Sequence, residues 1–266
     1  MRRHRGKFDV NKKEPYELSR SRIENFIKCP ACFYMQQVEK IEFPSIPGFN
    51  INEATDVLLK KDFDFYRKIL KPHPYLVKNG LSNLIPYNHE HFDLWTQSLH
   101  FGAENRFHYD DEINNLRVGG GLDDVWLNTN TDKLHIVDYK STSQKSDKGP
   151  ISLDDGWKGS YKRQMDLYIW VMRKKGFNVD DLGYFLYCDG NRFSDQPFLD
   201  EKNANMEFKI TLIPYESNLG WIEPTLKSIY KNLRLENRPS HSQYCEYGKF
   251  LTQSSDEKQI KIKTLF

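Results

Sequence analysis

Between Glu104 and Thr142 the chain reads ENRFHYDDE, LRVGGGLDDVWLN and KLHIVDYKST, runs dense in β-branched and aromatic residues and joined by a polar TNTD turn. That texture predicts strands, and their succession predicts an antiparallel meander. Residues two apart on a strand point to one face, roughly 6.5 to 7 Å apart along it. Asp138 and Lys140 therefore share a face with Leu134 and Ile136, so an acid and a base end an otherwise apolar stripe. Burying a charge without a partner is costly, and such a pair at the edge of a core points to a metal ion, a phosphate or each other as its partner. The alternative is a solvated strand on which Asp and Lys two apart carry no chemistry.

The strand before it brings Asp123 and Asp124 directly after Gly119, Gly120 and Gly121, which leave room for a backbone or a ligand to approach closely. A hairpin would set Asp123 beside Asp138. Two convergent carboxylates are a natural oxygen cage for a hard ion such as Mg²⁺ or Mn²⁺. A lysine beside them can orient or help deprotonate a water and offset charge on a phosphate.

Elsewhere the pattern is mostly helical. Residues 1–17 are polar and charged without apolar periodicity and read as a flexible lead-in. LSRSRIENFIKCPACFYMQQVEKI offers a capping box, Ser21 with Glu24, followed by Ile23, Phe26 and Ile27 at helical spacing, and Pro30 interrupts that helix. After a Pro- and Gly-rich loop, INEATDVLLKKDFDFYRKIL reads as an amphipathic helix with Ala54, Val57, Leu58 and Phe65 as its apolar positions. GSYKRQMDLYIWVMRKKGF spaces Tyr161, Met165, Tyr168 and Met172 as a helix does and stops at Gly176. Two further strands (LGYFLYCDG, MEFKITLIP), a helix (SNLGWIEPTLKSIYKNLRLE) and a polar tail over 251–266 complete the chain. The order predicts one α/β (α+β) domain over 18–250, a central mixed sheet flanked by helices.

Charge narrows the functional classes. With 39 basic and 37 acidic side chains the formal net charge is +2, so affinity for nucleic acid must come from local patches. The basic opening MRRHRGK lacks the apolar core of a secretory signal, and no run approaches the roughly 20 apolar residues of a membrane span. A cytoplasmic location without membrane contact is the expectation. No phosphate-binding P-loop is present, and the GGG run is not a dinucleotide fingerprint, so any ATP-driven motor must be a partner.

Four cysteines in 266 residues do not form a disulfide framework. Cys29 and Cys32 make a CxxC pair that suits a metal or redox role, and Cys245 lies near the other end in QYCEYGKF. A second CxxC would need cysteine where Gly248 stands; His241 is available as a nitrogen ligand, giving a Cys₃His set, whereas Cys188 reads as a core thiol. Structural zinc and iron–sulfur sites ordinarily need four such ligands.

GLDDVW, then HIVDYKST, then QMDLY resemble the three blocks of the RecB-like branch of the PD-(D/E)xK nuclease superfamily: G-x-hydrophobic-D, hydrophobic-D-x-K, and QxxxY on the next helix. LSRSRIENFIKCPACFY is similar to the first helix of that branch, and the resemblance spans most of 18–250. It implies a restriction-endonuclease-like core and metal-dependent hydrolysis of DNA, in repair, recombination or defence, with a helicase or repair protein as partner. Asp123 and Asp138 are the implied Mg²⁺ or Mn²⁺ ligands, the backbone carbonyl of Tyr139 a third, and Lys140 the implied catalytic lysine. Asp56 stands where the family commonly has a ligating His, and it is also an ordinary acidic residue for the start of a helix. Gln164 and Tyr168 are implied to contact DNA or support the site; four apart, they share a helical face. Several relatives hold an iron–sulfur cluster with cysteines from both chain ends, which bears on Cys29, Cys32, Cys245 and His241.

Lys158, Lys162 and Arg163 could hold the nucleic-acid backbone, and Tyr161 or Trp157 could stack unpaired bases; a solvated helix face explains them equally. Two readings from other classes stay open. One is a non-catalytic nucleic-acid-binding or scaffolding module; the other is an interaction protein organised by a cysteine-bound metal.

Overall fold

The computed structural model describes residues 8–44, 48, 50–99, 105–145, 150–154 and 156–263, the side chains of 157 and 256–263 excepted. In chain order the elements are β1 (Tyr16–Ser19), α1 (Arg20–Lys28), α2 (Pro30–Gln37), α3 (Asn50–Ile69), α4 (Pro74–Lys78), β2 (Leu84–Pro86) and α5 (Phe92–Trp95). Then come β3 (His108–Asp111), β4 (Leu116–Gly119), β5 (Asp124–Asn128), β6 (Lys133–Thr142) and α6 (Gly159–Lys174). The chain closes with β7 (Leu182–Gly190), β8 (Phe208–Glu216), α7 (Ile222–Asn232) and α8 (Glu246–Lys263). None of the described helices is long and apolar enough to cross a membrane.

The chain divides into two compact units, Met1–Ser45 with Asp110–Val118 and Gly220–Phe266, and Ile46–Tyr109 with Gly119–Leu219. In the first, β1 pairs into a three-stranded sheet of order β1-β4-β3. Tyr16 and Glu17 are thus strand residues rather than lead-in, and Tyr16 donates to Gln37 Oε1 at 2.6 Å. Because β1 runs straight into α1, the cap falls on Ser19, whose hydroxyl pairs with that of Ser21 at 3.0 Å and makes no capping hydrogen bond, and the capping box expected at Ser21 does not form. Pro30 opens α2 at its first turn, so it breaks the helix as expected. The tail expected from 251 onward is instead helical to Lys263.

The second unit holds the five-stranded sheet, order β2-β5-β6-β7-β8, in which β6 and β7 are parallel and their other pairings antiparallel. The hairpin β5–β6 forms as predicted, but the meander does not extend to β3 and β4, which lie in the other sheet. Glycines make the break. A side chain at Gly119 would meet the Phe107 carbonyl oxygen at 2.2 Å, and one at Gly120 the Tyr168 hydroxyl at 2.5 Å, so the chain crosses here where L side chains do not fit.

One sheet face packs Phe63, Leu76, Trp126, Val137, Tyr139, Tyr184 and Leu186 into a core, with the Phe63 ring stacked on His73 at 4.6 Å and Trp126 at 5.3 Å. The inward face of α3 differs from the expected one. Val57, Leu58 and Phe65 are 65%, 62% and 58% exposed, while Thr55, Phe63 and Arg67 are buried. The other face of the sheet carries α6, buried from Gln164 to Met172, with Met165 filling the space a side chain at Gly183 would take. Its end is a Schellman cap: Gly176, at φ 92°, donates to Arg173 O at 2.9 Å and Phe177 donates to Met172 O at 3.3 Å.

Candidate active site

Pairing fixes which way each acid points. Asp124 lies opposite Val137, so Asp123, one residue earlier, falls on the face of Asp138 and Asp124 on the face of Tyr139. The Tyr139 N–H donates to Asp123 Oδ2 at 2.8 Å, tying the first acid to the residue next to the second. Asp138 is 1% exposed; Gln164 Nε2 donates to its Oδ1 at 2.6 Å, and Lys140 Nζ forms an ion pair with its Oδ2. Lys140 Nζ also donates to the Tyr139 carbonyl at 3.2 Å and sits 4.8 Å from the centre of the Tyr161 ring. Asp56, in the second turn of α3, approaches from the end of β6, where Ser141 hydrogen-bonds it. The structure therefore gathers Asp56, Asp123, Asp138, Lys140, Tyr161 and Gln164 in one unit, at the C-terminal end of a strand that runs parallel to its neighbour, where helix-flanked sheets usually bind ligands.

Electrostatics at this face are strained. Burial, followed by the charge of Asp138, holds the Asp123 carboxyl well above the usual carboxylate range despite Lys140 and the Tyr139 amide. Burial also raises Asp56, to about 6; Asp138 adds to the rise while Lys140 and Ser141 oppose it. Among the described residues, Asp56 Oδ1 is a buried oxygen with no hydrogen-bond partner. Oxygen donors of this kind fit a hard divalent ion, which would lower all of these costs together.

Tyr168 lies with its hydroxyl against Gly120 and its ring edge-on to Phe107 at 5.6 Å, so it braces the loop leading to Asp123. Lys158 is 7% exposed and donates to the Ser152 carbonyl at 2.6 Å, so it turns inward rather than lying on a solvated face. Lys162 pairs with the exposed Asp154 at 3.3 Å, and Arg163 flanks Gly159. The Trp157 side chain lies outside the described residues. His135 faces away from Asp138, as its parity predicts, with Nδ1 at 2.7 Å from Leu182 O.

Sequence reasoning missed a second network behind the site. Asp124, fully buried, has donors on both oxygens: Arg67 and the Val125 N–H (2.7 Å) on Oδ1, Trp126 Nε1 (3.0 Å) and the Tyr139 hydroxyl (2.7 Å) on Oδ2. Arg67 also donates to Asp64 Oδ1 at 3.0 Å and to the Tyr87 carbonyl. The doublet of aspartates was its signal, since adjacent strand residues must serve opposite faces.

In the first unit Cys29, Cys32, His241 and Cys245 bring one ligand atom each into a group spanning at most 4.8 Å, a set able to hold a metal. Burial pushes the Cys29 thiol up, but the N–H groups of Ser242 and Cys32, with His241, bring it down to about 6. Cys188 belongs to the second unit, a buried free thiol on β7.

Carboxylates converging with one lysine at the end of a helix-flanked mixed sheet form a site suited to phosphate chemistry. The family model of the PD-(D/E)XK nuclease superfamily matches residues 69–250, and the chain belongs to that superfamily. Membership carries the fold and a nuclease's phosphodiester hydrolysis. Asp56, Cys29 and Cys32 precede the matched region, while the acid–lysine set, His241 and Cys245 fall inside it. No curated protein matches the chain.

Proposed function

We propose that this protein is a divalent-metal-dependent deoxyribonuclease whose reacting phosphate lies between Asp123, Asp138 and Lys140. The observation that carries the reading is the set of contacts on that face: the Tyr139 N–H on Asp123 at 2.8 Å, with Lys140 Nζ on Asp138 and, at 3.2 Å, on the Tyr139 carbonyl. Asp123, Asp138 and the Tyr139 carbonyl would hold Mg²⁺ or Mn²⁺, with Asp56 as a further ligand through its unpartnered oxygen. Such an ion, when bound, lowers the pKa of a coordinated water and offsets charge on the phosphate.

The chain's own groups do the positioning. Gln164 holds one oxygen of Asp138 at 2.6 Å and so turns the other toward the ion. The Tyr139 amide does the same for Asp123. The Lys140 ammonium faces the carboxylate oxygens; were an ion to neutralise those, it would be available to donate a hydrogen bond to a phosphate oxygen or to orient the attacking water. Tyr161 keeps that ammonium over its ring.

DNA is favoured as substrate by the resemblance of GLDDVW, HIVDYKST and QMDLY to the RecB-like blocks, as is work in repair, recombination or defence beside a helicase. The test uses end-labelled single-stranded and duplex DNA and a matching RNA, with Mg²⁺, Mn²⁺ or EDTA. Wild type cuts DNA with either ion and not with EDTA, and Lys140→Ala is slower by about 10²–10³-fold. Intact DNA under every condition defeats the enzyme reading, equal cutting by the variant defeats the lysine's role, and cutting of RNA alone defeats the substrate.

A further inference from the structure

Four ligand atoms from two stretches over 200 residues apart meet in the first unit, and their spacing speaks to what they hold. Cys32 Sγ is 3.3 Å from Cys245 Sγ, and His241 Nδ1 lies 3.5 Å from Cys29 Sγ, 3.5 Å from Cys32 Sγ and 3.6 Å from Cys245 Sγ. A single tetrahedral ion with metal–sulfur bonds near 2.3 Å sets neighbouring ligand atoms about 3.5–3.8 Å apart. A four-iron cluster interposes its own iron–sulfide cage and drives the cysteine sulfurs to roughly 6 Å, and a two-iron cluster does so for ligands on different irons. The whole set spans no more than 4.8 Å. It fits one ion and does not fit a cluster.

Gly248 explains why the fourth ligand is a histidine. A Cβ at this position would lie 2.7 Å from both Cβ and Cγ of His241. The residue that would complete a second CxxC must therefore be absent for the imidazole to enter. The surroundings are arranged for thiolates as well. The Ser242 N–H donates to Cys29 Sγ at 3.4 Å and the Gly248 N–H to Cys245 Sγ at 3.3 Å. Cys29 caps α2, and Cys245 immediately precedes α8, so both stand where a helix N-terminus favours negative charge. Cys29, Cys32 and Cys245 are buried, and Phe43, stacked on Tyr247 at 4.5 Å, packs against them.

We infer that Cys29, Cys32, Cys245 and His241 Nδ1 form a closed, mononuclear Zn²⁺ site that ties the α1–α2 corner to the start of α8, rather than holding the iron–sulfur cluster of several relatives. With all four positions filled by protein, the ion has no open place for substrate and acts on stability.

The full-length protein is purified anaerobically, and its zinc, iron and acid-labile sulfide are measured with its visible spectrum. Expected are about one zinc per chain that survives EDTA dialysis, no iron–sulfur absorption, and, after exchange into Co²⁺, the visible bands of a tetrahedral thiolate site. His241→Ala loses most of the zinc, His241→Cys keeps it, and Cys188→Ser leaves it untouched. Removing the ion with a strong zinc chelator lowers the melting temperature. Iron and sulfide in the purified protein would overturn the inference, as would a Cys32–Cys245 disulfide without metal, or His241→Ala with zinc and melting temperature unchanged. If His241→Ala does not fold, the wild-type metal content and Co²⁺ spectrum decide the matter alone.

Discussion

Asp123 and Asp124 are neighbours in sequence and opposites in circumstance, because they leave the β5–β6 hairpin on its two faces. On one face Asp124 is fully buried and every lone pair direction is met, with Arg67, Trp126, Tyr139 and its own neighbour's amide as donors. On the other, Asp123, Asp138 and Asp56 share Lys140 as their nearby ammonium, and burial with mutual repulsion holds Asp123 and Asp56 above their ordinary range. The satisfied face is a clamp that joins α3 to the sheet. The unsatisfied face stores electrostatic cost that a divalent ion would relieve. The proposed chemistry and the stability are thus assigned to adjacent residues by the two-residue period of a strand.

Substitutions test this division. The largest effect belongs to Asp124→Ala, which takes the buried carboxylate from Arg67, Trp126 and Tyr139, leaving Arg67 with Asp64 and the Tyr87 carbonyl, and should cost about 3–5 kcal/mol in urea unfolding; a loss near zero would mean the clamp is not one. Gly120→Ala comes next. Its methyl group runs into the Tyr168 hydroxyl and ring, at 2.5–3.0 Å, so a loss of roughly 1–3 kcal/mol is expected together with reduced nuclease activity, as the loop before Asp123 shifts. Unchanged activity would show that this loop does not set the acid's position.

Asp123→Asn should act in the opposite sense to Asp124→Ala. The amide keeps an oxygen for the Tyr139 N–H and removes a repelled charge, so the metal-free protein should melt a few degrees higher, at about 2–4 °C per kcal/mol for a chain of this size, while cleavage is lost. A lower melting temperature in EDTA would place Asp123 with the structural acids. The smallest effect is a pH dependence. Asp56, at about 6 in the folded protein against roughly 4 unfolded, binds its proton more tightly when folded, so its contribution to metal-free stability falls as pH rises from about 4 through 6. The melting temperature of wild type relative to Asp56→Asn, in EDTA, should drop across that interval, and Mg²⁺ should restore it above pH 6. A difference that stays flat contradicts the raised carboxyl.

Much of this was legible before any coordinates. Parity alone put Asp138 and Lys140 together and turned His135 away, and the hairpin that brings Asp123 to them follows from the short TNTD turn between two β-rich runs. The α6 helix and its glycine stop were equally plain, since a local cap needs no distant partner. What escaped depended on tertiary pairing. Periodicity assigned Val57, Leu58 and Phe65 of α3 to the core, but a charged residue met by a buried partner, Arg67 by Asp124, lies inside while those three are exposed. The split at Gly119–Gly121 was hidden because the close approach of Phe107 and Tyr168 that demands it comes from elsewhere in the chain. Lys158 likewise found an inward carbonyl that no local pattern announces. His241 was visible as a candidate ligand, but why Gly248 stands where a cysteine was sought required the imidazole's position.

If one divalent ion sits between Asp123 and Asp138, as proposed, an anomalous difference map from crystals soaked in Mn²⁺ will locate it. A peak about 2.0–2.3 Å from an oxygen of each carboxylate, with the Lys140 ammonium withdrawn from the Tyr139 carbonyl, is the predicted result. Full Mn²⁺ occupancy elsewhere with these two carboxylates unliganded contradicts it.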